Sequence, residues 1–99
     1  MIVISGSIPI DGSKAVEIAA AVQVMRDATL AEDGCVAYRF AFATDDPNVL
    51  LVVEEWRDND VLGVHMKSAH MAAFGVAAGP YMTGKPALTV YEATSKKLM

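Results

Sequence analysis

The chemistry open to this sequence rests on a short cast: two histidines, one tryptophan, three tyrosines and one cysteine. His65 shares a predicted helix face with Val61 and Leu62, which aims an ionisable ring at a helix–sheet interior where it can act as a general base near neutrality. The plainer reading is a hydrogen-bonded structural histidine. His70 is a second candidate, for substrate contact. Two histidines five residues apart on one helix point about 140° away from each other, whereas helical metal ligands sit at i and i+4, so the pair predicts no metal site. Glu54 and Glu55 are neighbours on a predicted strand and face oppositely, which excludes paired-carboxylate chemistry between them. No Ser-His-Asp pattern is present, and no glycine-rich loop follows a strand in the way that cradles phosphates.

The aromatic residues admit two readings each. Trp56 closes a predicted strand, where its ring either floors an aromatic-substrate pocket or fills the core. Tyr38 suits pocket lining or packing, Phe74 shares a helix face with Met66 and His70, and Tyr81 and Tyr91 are equally open. Cys35 has no basic neighbour and reads as a small buried residue rather than a nucleophile. The six methionines read as core filler that also suits an adaptable apolar cavity.

The elements that must position these residues follow from periodicity. Ile2 to Ile10 alternates as a strand. After Asp11-Gly12, Ser13 is placed to cap a helix whose apolar positions Ala15, Ile18, Ala19, Val22 and Met25 carry it to Leu30, before Glu32-Asp33-Gly34 stops it. From Val36 a second strand sets Tyr38, Phe40 and Phe42 on one side. A turn at Thr44 to Asn48 leads to a third strand, Val49 to Trp56, apolar on both faces and therefore expected to be central and covered twice. Asp58 or Asn59 caps a second helical region, which ends at Gly79-Pro80. Its two apolar stripes predict a break near Lys67-Ser68 that turns both inward. Ala87 to Ala93 is the last strand, and Ser95 to Met99 a loose tail.

The 99 residues suit one domain with one core, spanning about residues 2 to 93. The order predicts an α+β, ferredoxin-like βαββαβ fold: a four-stranded antiparallel sheet with both helices on one face. The other face would be bare and apolar, so a homodimer packed sheet against sheet is expected. Charged substitution of Phe40 or Phe42 would then disturb assembly if theirs is the face a partner covers. A net charge of −4 and an isoelectric point near 4.9 disfavour nucleic acid and anionic membranes as partners. No apolar run approaches a membrane span, and Met1 to Ile4 reads straight into a strand rather than a secretion signal. A single cysteine suits a reducing cytoplasm.

Three segments in order, Glu32-Asp33-Gly34-Cys35-x-x-Tyr38, Glu54-Glu55-Trp56-Arg57-Asp58 and His65-x-x-Ser68-x-His70-Met71-x-x-Phe74, resemble the signature of the antibiotic biosynthesis monooxygenase (ABM) domain family. The small bacterial quinol monooxygenases are the members most like it. The resemblance implies a dimeric α+β barrel with a pocket between sheet and helices. It also implies oxidation of quinols, phenols or anthrones by molecular oxygen, with no metal, flavin or other cofactor. His65 and Trp56 take the places of that family's helix histidine and strand-end tryptophan.

The sequence departs from parts of the family. Val52 stands where polyketide-tailoring members have an asparagine that donates to the substrate oxygen. Ser5, Gly6 and Ser7 stand where haem-degrading members have an asparagine. A branch that isomerises a phosphorylated signalling sugar shares the two histidines, but its basic phosphate contacts are not evident. The competing expectations are a non-catalytic ligand-binding dimer and an isomerase of the same fold.

Overall fold

The computed structural model describes residues 1–99. Strand β1 spans Ile2–Pro9, helix α1 Ala15–Leu30, β2 Cys35–Phe42, β3 Val49–Trp56, α2 Asn59–Met66, α3 Ala69–Ala78 and β4 Ala87–Glu92. The strands form one antiparallel sheet in the order β2-β3-β1-β4. This is the expected ferredoxin-like βαββαβ arrangement, and no helix is long and apolar enough to cross a membrane.

Alternation decides which residues the helices cover. Ile2, Ile4 and Ile8 of β1 and Leu50, Val52 and Trp56 of β3 are buried beneath them, together with Ile18 and Met25 of α1 and Phe74 and Ala78 of α3. The opposite face carries Leu51 and Val53, still 42% and 48% exposed. The third strand is thus central, as its double apolarity requires, but within one chain only one of its faces is covered.

Phe40 also lies on the helix side, its ring 5.7 Å from that of Phe74. Phe42 pairs with Leu50 on the same covered side. Neither belongs to the open face, so the expectation that a charge there reports on a partner's surface moves to Leu51 and Val53. Val36 is half exposed because the register shifts between Cys35 and Ala37, an irregularity that alternation alone does not reveal.

Local capping differs in one place from expectation. Asp11, not Ser13, holds the start of the first helical segment: its carboxylate accepts from the Ser13 backbone N–H at 3.0 Å and from the Ser13 hydroxyl at 2.7 Å. A single 3₁₀ turn, Gly12–Lys14, precedes α1. Asp58 caps α2 as expected, accepting from the Val61 N–H at 3.0 Å. The break falls where the two apolar stripes require it. Lys67 ends α2, and the Ser68 hydroxyl donates to the His65 carbonyl at 2.6 Å while accepting from the Met71 N–H at 3.3 Å.

Gly34 joins the first helix to β2 with φ +83, and a Cβ there would lie 2.7 Å from both methyl carbons of Val61. Only glycine combines that backbone with so close an approach. The Arg57 guanidinium clamps the same corner from the end of β3, donating to both Asp33 oxygens at 3.2 and 3.1 Å. Glu32, the residue before Asp33, faces the junction between α2 and α3.

Candidate active site

The helix layer does not seal onto the sheet along its whole length. Between them lies a cavity of about 500 Å³ lined by 17 residues, 13 of them hydrophobic. An enclosure of that size and character suits a small, mostly apolar ligand fixed by a few polar groups. Its floor is the covered face of the sheet, with Ile4, Ile8, Val52, Glu54, Tyr38 and Phe40. Its roof is Met25 of α1, Leu62, His65 and Met66 of α2, and Met71 and Phe74 of α3. Met82, Pro86, Leu88 and Val90 close the side toward β4.

Of the side chains singled out in the sequence, His65, Tyr38 and Phe74 line this cavity. Trp56 does not. It is fully buried beneath the site, its ring 4.7 Å from His65 and 6.3 Å from Tyr38, and its indole N–H donates to Glu54 Oε1 at 2.9 Å. Its action on a ligand would be indirect, through Glu54 and His65. His70 and Tyr81 also stand outside the lining. Tyr81 packs against the second part of the core, beside Ile8 and Ile10.

The two histidines are not kept apart. His65 Nδ1 lies 2.6 Å and His70 Nε2 2.8 Å from the same oxygen, Glu32 Oε2. The expected 140° separation holds for one continuous helix, and the break at Ser68 removes that condition. His65 sits in the last turn of α2, His70 in the first turn of α3, and the change of direction brings both rings onto one carboxylate. Their ligand atoms and that of Glu32 all fall within 4.8 Å of one another, so the trio has the composition and compactness to hold a divalent transition metal. In the geometry present, both rings donate to the carboxylate, and a metal would have to displace both of those protons.

An ionised carboxylate can only accept, so Nδ1 of His65 carries the proton and Nε2 is left as the basic nitrogen. His65 is 1% exposed and meets the cavity edge-on to Tyr38, ring centroids 5.3 Å apart. Tyr38 itself is a poor base or nucleophile. Burial, followed by the nearby Glu54 charge, drives its phenol well above the usual tyrosine range, so it stays neutral and acts only as a hydrogen-bonding group. Burial likewise raises the Cys35 thiol, with Glu32 and Glu54 adding to the effect. That fits the reading of an unreactive cysteine.

Glu54 and Glu55 do face oppositely. Glu55 meets the Lys96 ammonium at 3.4 Å, whereas Glu54 is 6% exposed on the cavity floor. Burial raises the Glu54 carboxyl above its ordinary value, against smaller opposing pulls from the Trp56 hydrogen bond and the His65 ring. Sequence reasoning set Glu54 aside as a partner for Glu55 and read Glu32 as part of a helix stop and of a family signature, with no role of its own. Position 54 nevertheless carried a signal, an acid between Val52 and Trp56 on the side of β3 that alternation assigns to the core.

The antibiotic biosynthesis monooxygenase family model matches residues 1–76, and the chain belongs to that family. Among solved structures, a Caulobacter crescentus protein provisionally named as an antibiotic biosynthesis monooxygenase superposes with a TM-score of 0.89 at 24% identity, over 95% of this chain and 90% of that one. A similarly named Deinococcus radiodurans protein gives 0.87 at 21% identity, over 100% and 98%. A Mycobacterium tuberculosis structure gives 0.84 at 23%, over 96% of each chain. At these identities the likeness concerns the fold. No curated protein matches the sequence significantly.

Proposed function

We propose that the protein is a cofactor-independent monooxygenase that oxidises a quinol or polycyclic phenol with molecular oxygen. The observation that carries this reading is His65: a buried imidazole fixed by Glu32 at Nδ1, with Nε2 free at the edge of a largely apolar cavity. Such a base removes a hydroxyl proton from an electron-rich aromatic alcohol. The resulting anion passes one electron to oxygen, and recombination of the radical pair forms a C–O bond. Cleavage of the O–O bond with loss of the ring C–H proton then gives a carbonyl and one water. A quinol and one O₂ thus become a hydroxyquinone and one H₂O, a four-electron oxidation in which O₂ accepts all four electrons. The apolar walls shield the anion from bulk water and leave it to react with oxygen.

Val52 lies on the cavity floor and supplies no hydrogen bond to a substrate oxygen. This favours a second reading, a ligand-binding protein without turnover. An oxygen electrode separates the two. With a panel of naphthalene and anthracene quinols and anthrones, the oxygenase reading expects one O₂ consumed per quinone formed, without nicotinamide and unaffected by chelators. Uptake no faster than the uncatalysed rate across the panel would leave the binding reading.

The same proposal includes a homodimer. Leu51 and Val53 lie on the open face of the sheet, half exposed, and a second copy applied face to face would bury them. Obligate interfaces of this kind usually bury more than about 2,000 Å². Light scattering at micromolar concentration should give twice the chain mass, reduced in Leu51→Asp. A wild-type monomer would remove the dimer from the account.

A further inference from the structure

The cavity floor is polar at one end and hydrocarbon at the other. Strand register places Tyr38 beside Glu54, Glu54 beside Ile4 and Ile4 beside Val90 in one row across the sheet. The next row is Phe40, Val52, Gly6 and Leu88, with no polar side chain in it. His65 stands over the first row, close to Tyr38 and Trp56. Glu54 is more than nine-tenths buried and uses Oε1 to accept from Trp56. Its second oxygen has no hydrogen-bond partner in the protein. Burying a carboxyl with a spare acceptor in a hydrocarbon wall is costly unless something pairs with it.

We propose that Glu54 is a specificity-determining residue that accepts a hydrogen bond from a second substrate hydroxyl, so that the preferred ligand is an aromatic alcohol carrying two oxygens on one edge. One oxygen meets His65 and the neighbouring one meets Glu54, while the hydrocarbon body lies over Phe40, Val52 and Leu88. Trp56 fixes the carboxylate from below and leaves the free oxygen toward the ligand. This deepens the reading of the cavity as a site for aromatic alcohols and rests on it.

The test is anaerobic calorimetry with three probes of one ring system: 2,3-dihydroxynaphthalene, with both oxygens on one edge, 2,6-dihydroxynaphthalene, with the oxygens at opposite ends, and 2-naphthol, with one. A hydrogen bond to a carboxylate is worth about 10- to 100-fold in affinity, so the 2,3-diol should bind tighter than either other probe by roughly that factor. In Glu54→Gln the amide oxygen can still accept from Trp56, while the cavity side gains a donor. The advantage of the 2,3-diol should shrink, and in Glu54→Met it should vanish, with 2-naphthol affinity changed by less than about threefold. Melting curves of each variant confirm that the fold persists.

Equal affinities for the two diols in the wild type, or an equal loss for 2,3-diol and 2-naphthol in Glu54→Gln, would overturn the proposal. Failure of all three probes to bind would overturn it together with the aromatic-alcohol reading. Tight, edge-selective binding without any oxygen uptake would leave Glu54 in its role and remove only the oxygenase.

Discussion

Glu32 and Glu54 are the same residue in two neighbourhoods, and the contrast explains how this small domain builds a site. Glu32 gives one oxygen to two histidine rings, at the junction of two helices and a glycine corner. Glu54 gives one oxygen to an indole and lies in an apolar floor that raises its carboxyl. The first is surrounded by donors and orients other groups. The second has an acceptor to spare and so reads a ligand. Partner count, rather than residue type or proximity to His65, separates a positioning carboxylate from a recognition one.

Exchanging each glutamate for glutamine should therefore move stability in opposite directions. The larger effect belongs to Glu32→Gln, which weakens two charge-assisted bonds at a site where His65 is buried. A loss of about 1–3 kcal/mol is expected, read as a lower urea midpoint at pH 7 with an unchanged slope. The same variant should slow oxygen uptake, because an amide no longer imposes one tautomer on His65. An unchanged midpoint would mean that the two contacts are incidental.

Ser68→Ala comes next. It removes the cap of α3 and the tie to the His65 carbonyl, at a cost of about 1 kcal/mol. Because that break brings His70 onto Glu32, the His70 ring resonances should move in an NMR spectrum at pH 7 more than those of His65. Equal shifts would show that the break does not govern the convergence.

Glu54→Gln should have the smallest effect on stability, with the opposite sign. The folded protein holds this proton more tightly than the unfolded chain does, so stability falls as pH rises through the window between the ordinary and raised values. Below the ordinary glutamate range both states are protonated and the penalty disappears. Removing the charge should thus stabilise the protein at pH 7 and leave it unaffected at pH 3.5, as measured by thermal melts at the two pH values. A loss of stability at pH 7 would mean that the Trp56 bond outweighs burial.

Much of this was legible in the sequence because it depends on local periodicity. The two apolar faces of Val49 to Trp56 required a central strand, and two apolar stripes on one helical segment required a break near Lys67-Ser68. The break was foreseen, but its effect on His65 and His70 was not, since the angle between two side chains was counted along an unbroken helix. Trp56 could not be assigned between pocket floor and core, because both lie on the same side of β3 and differ only in depth. Phe40 and Phe42 shared a face with Tyr38, but which layer covers that face depends on the handedness of the crossings, which residue spacing does not encode. Glu32 was invisible as an orienting group because its partners lie 33 and 38 residues away.

The central claim is that His65, held by Glu32, is the base that starts the reaction with oxygen. Steady-state oxygen uptake by His65→Ala, on whichever quinol the wild type oxidises fastest, tests it most directly. General-base removal costs about 10²- to 10⁴-fold, so the rate should fall into that range while circular dichroism and light scattering match the wild type. A folded His65→Ala protein that retains the full wild-type rate would contradict the assignment.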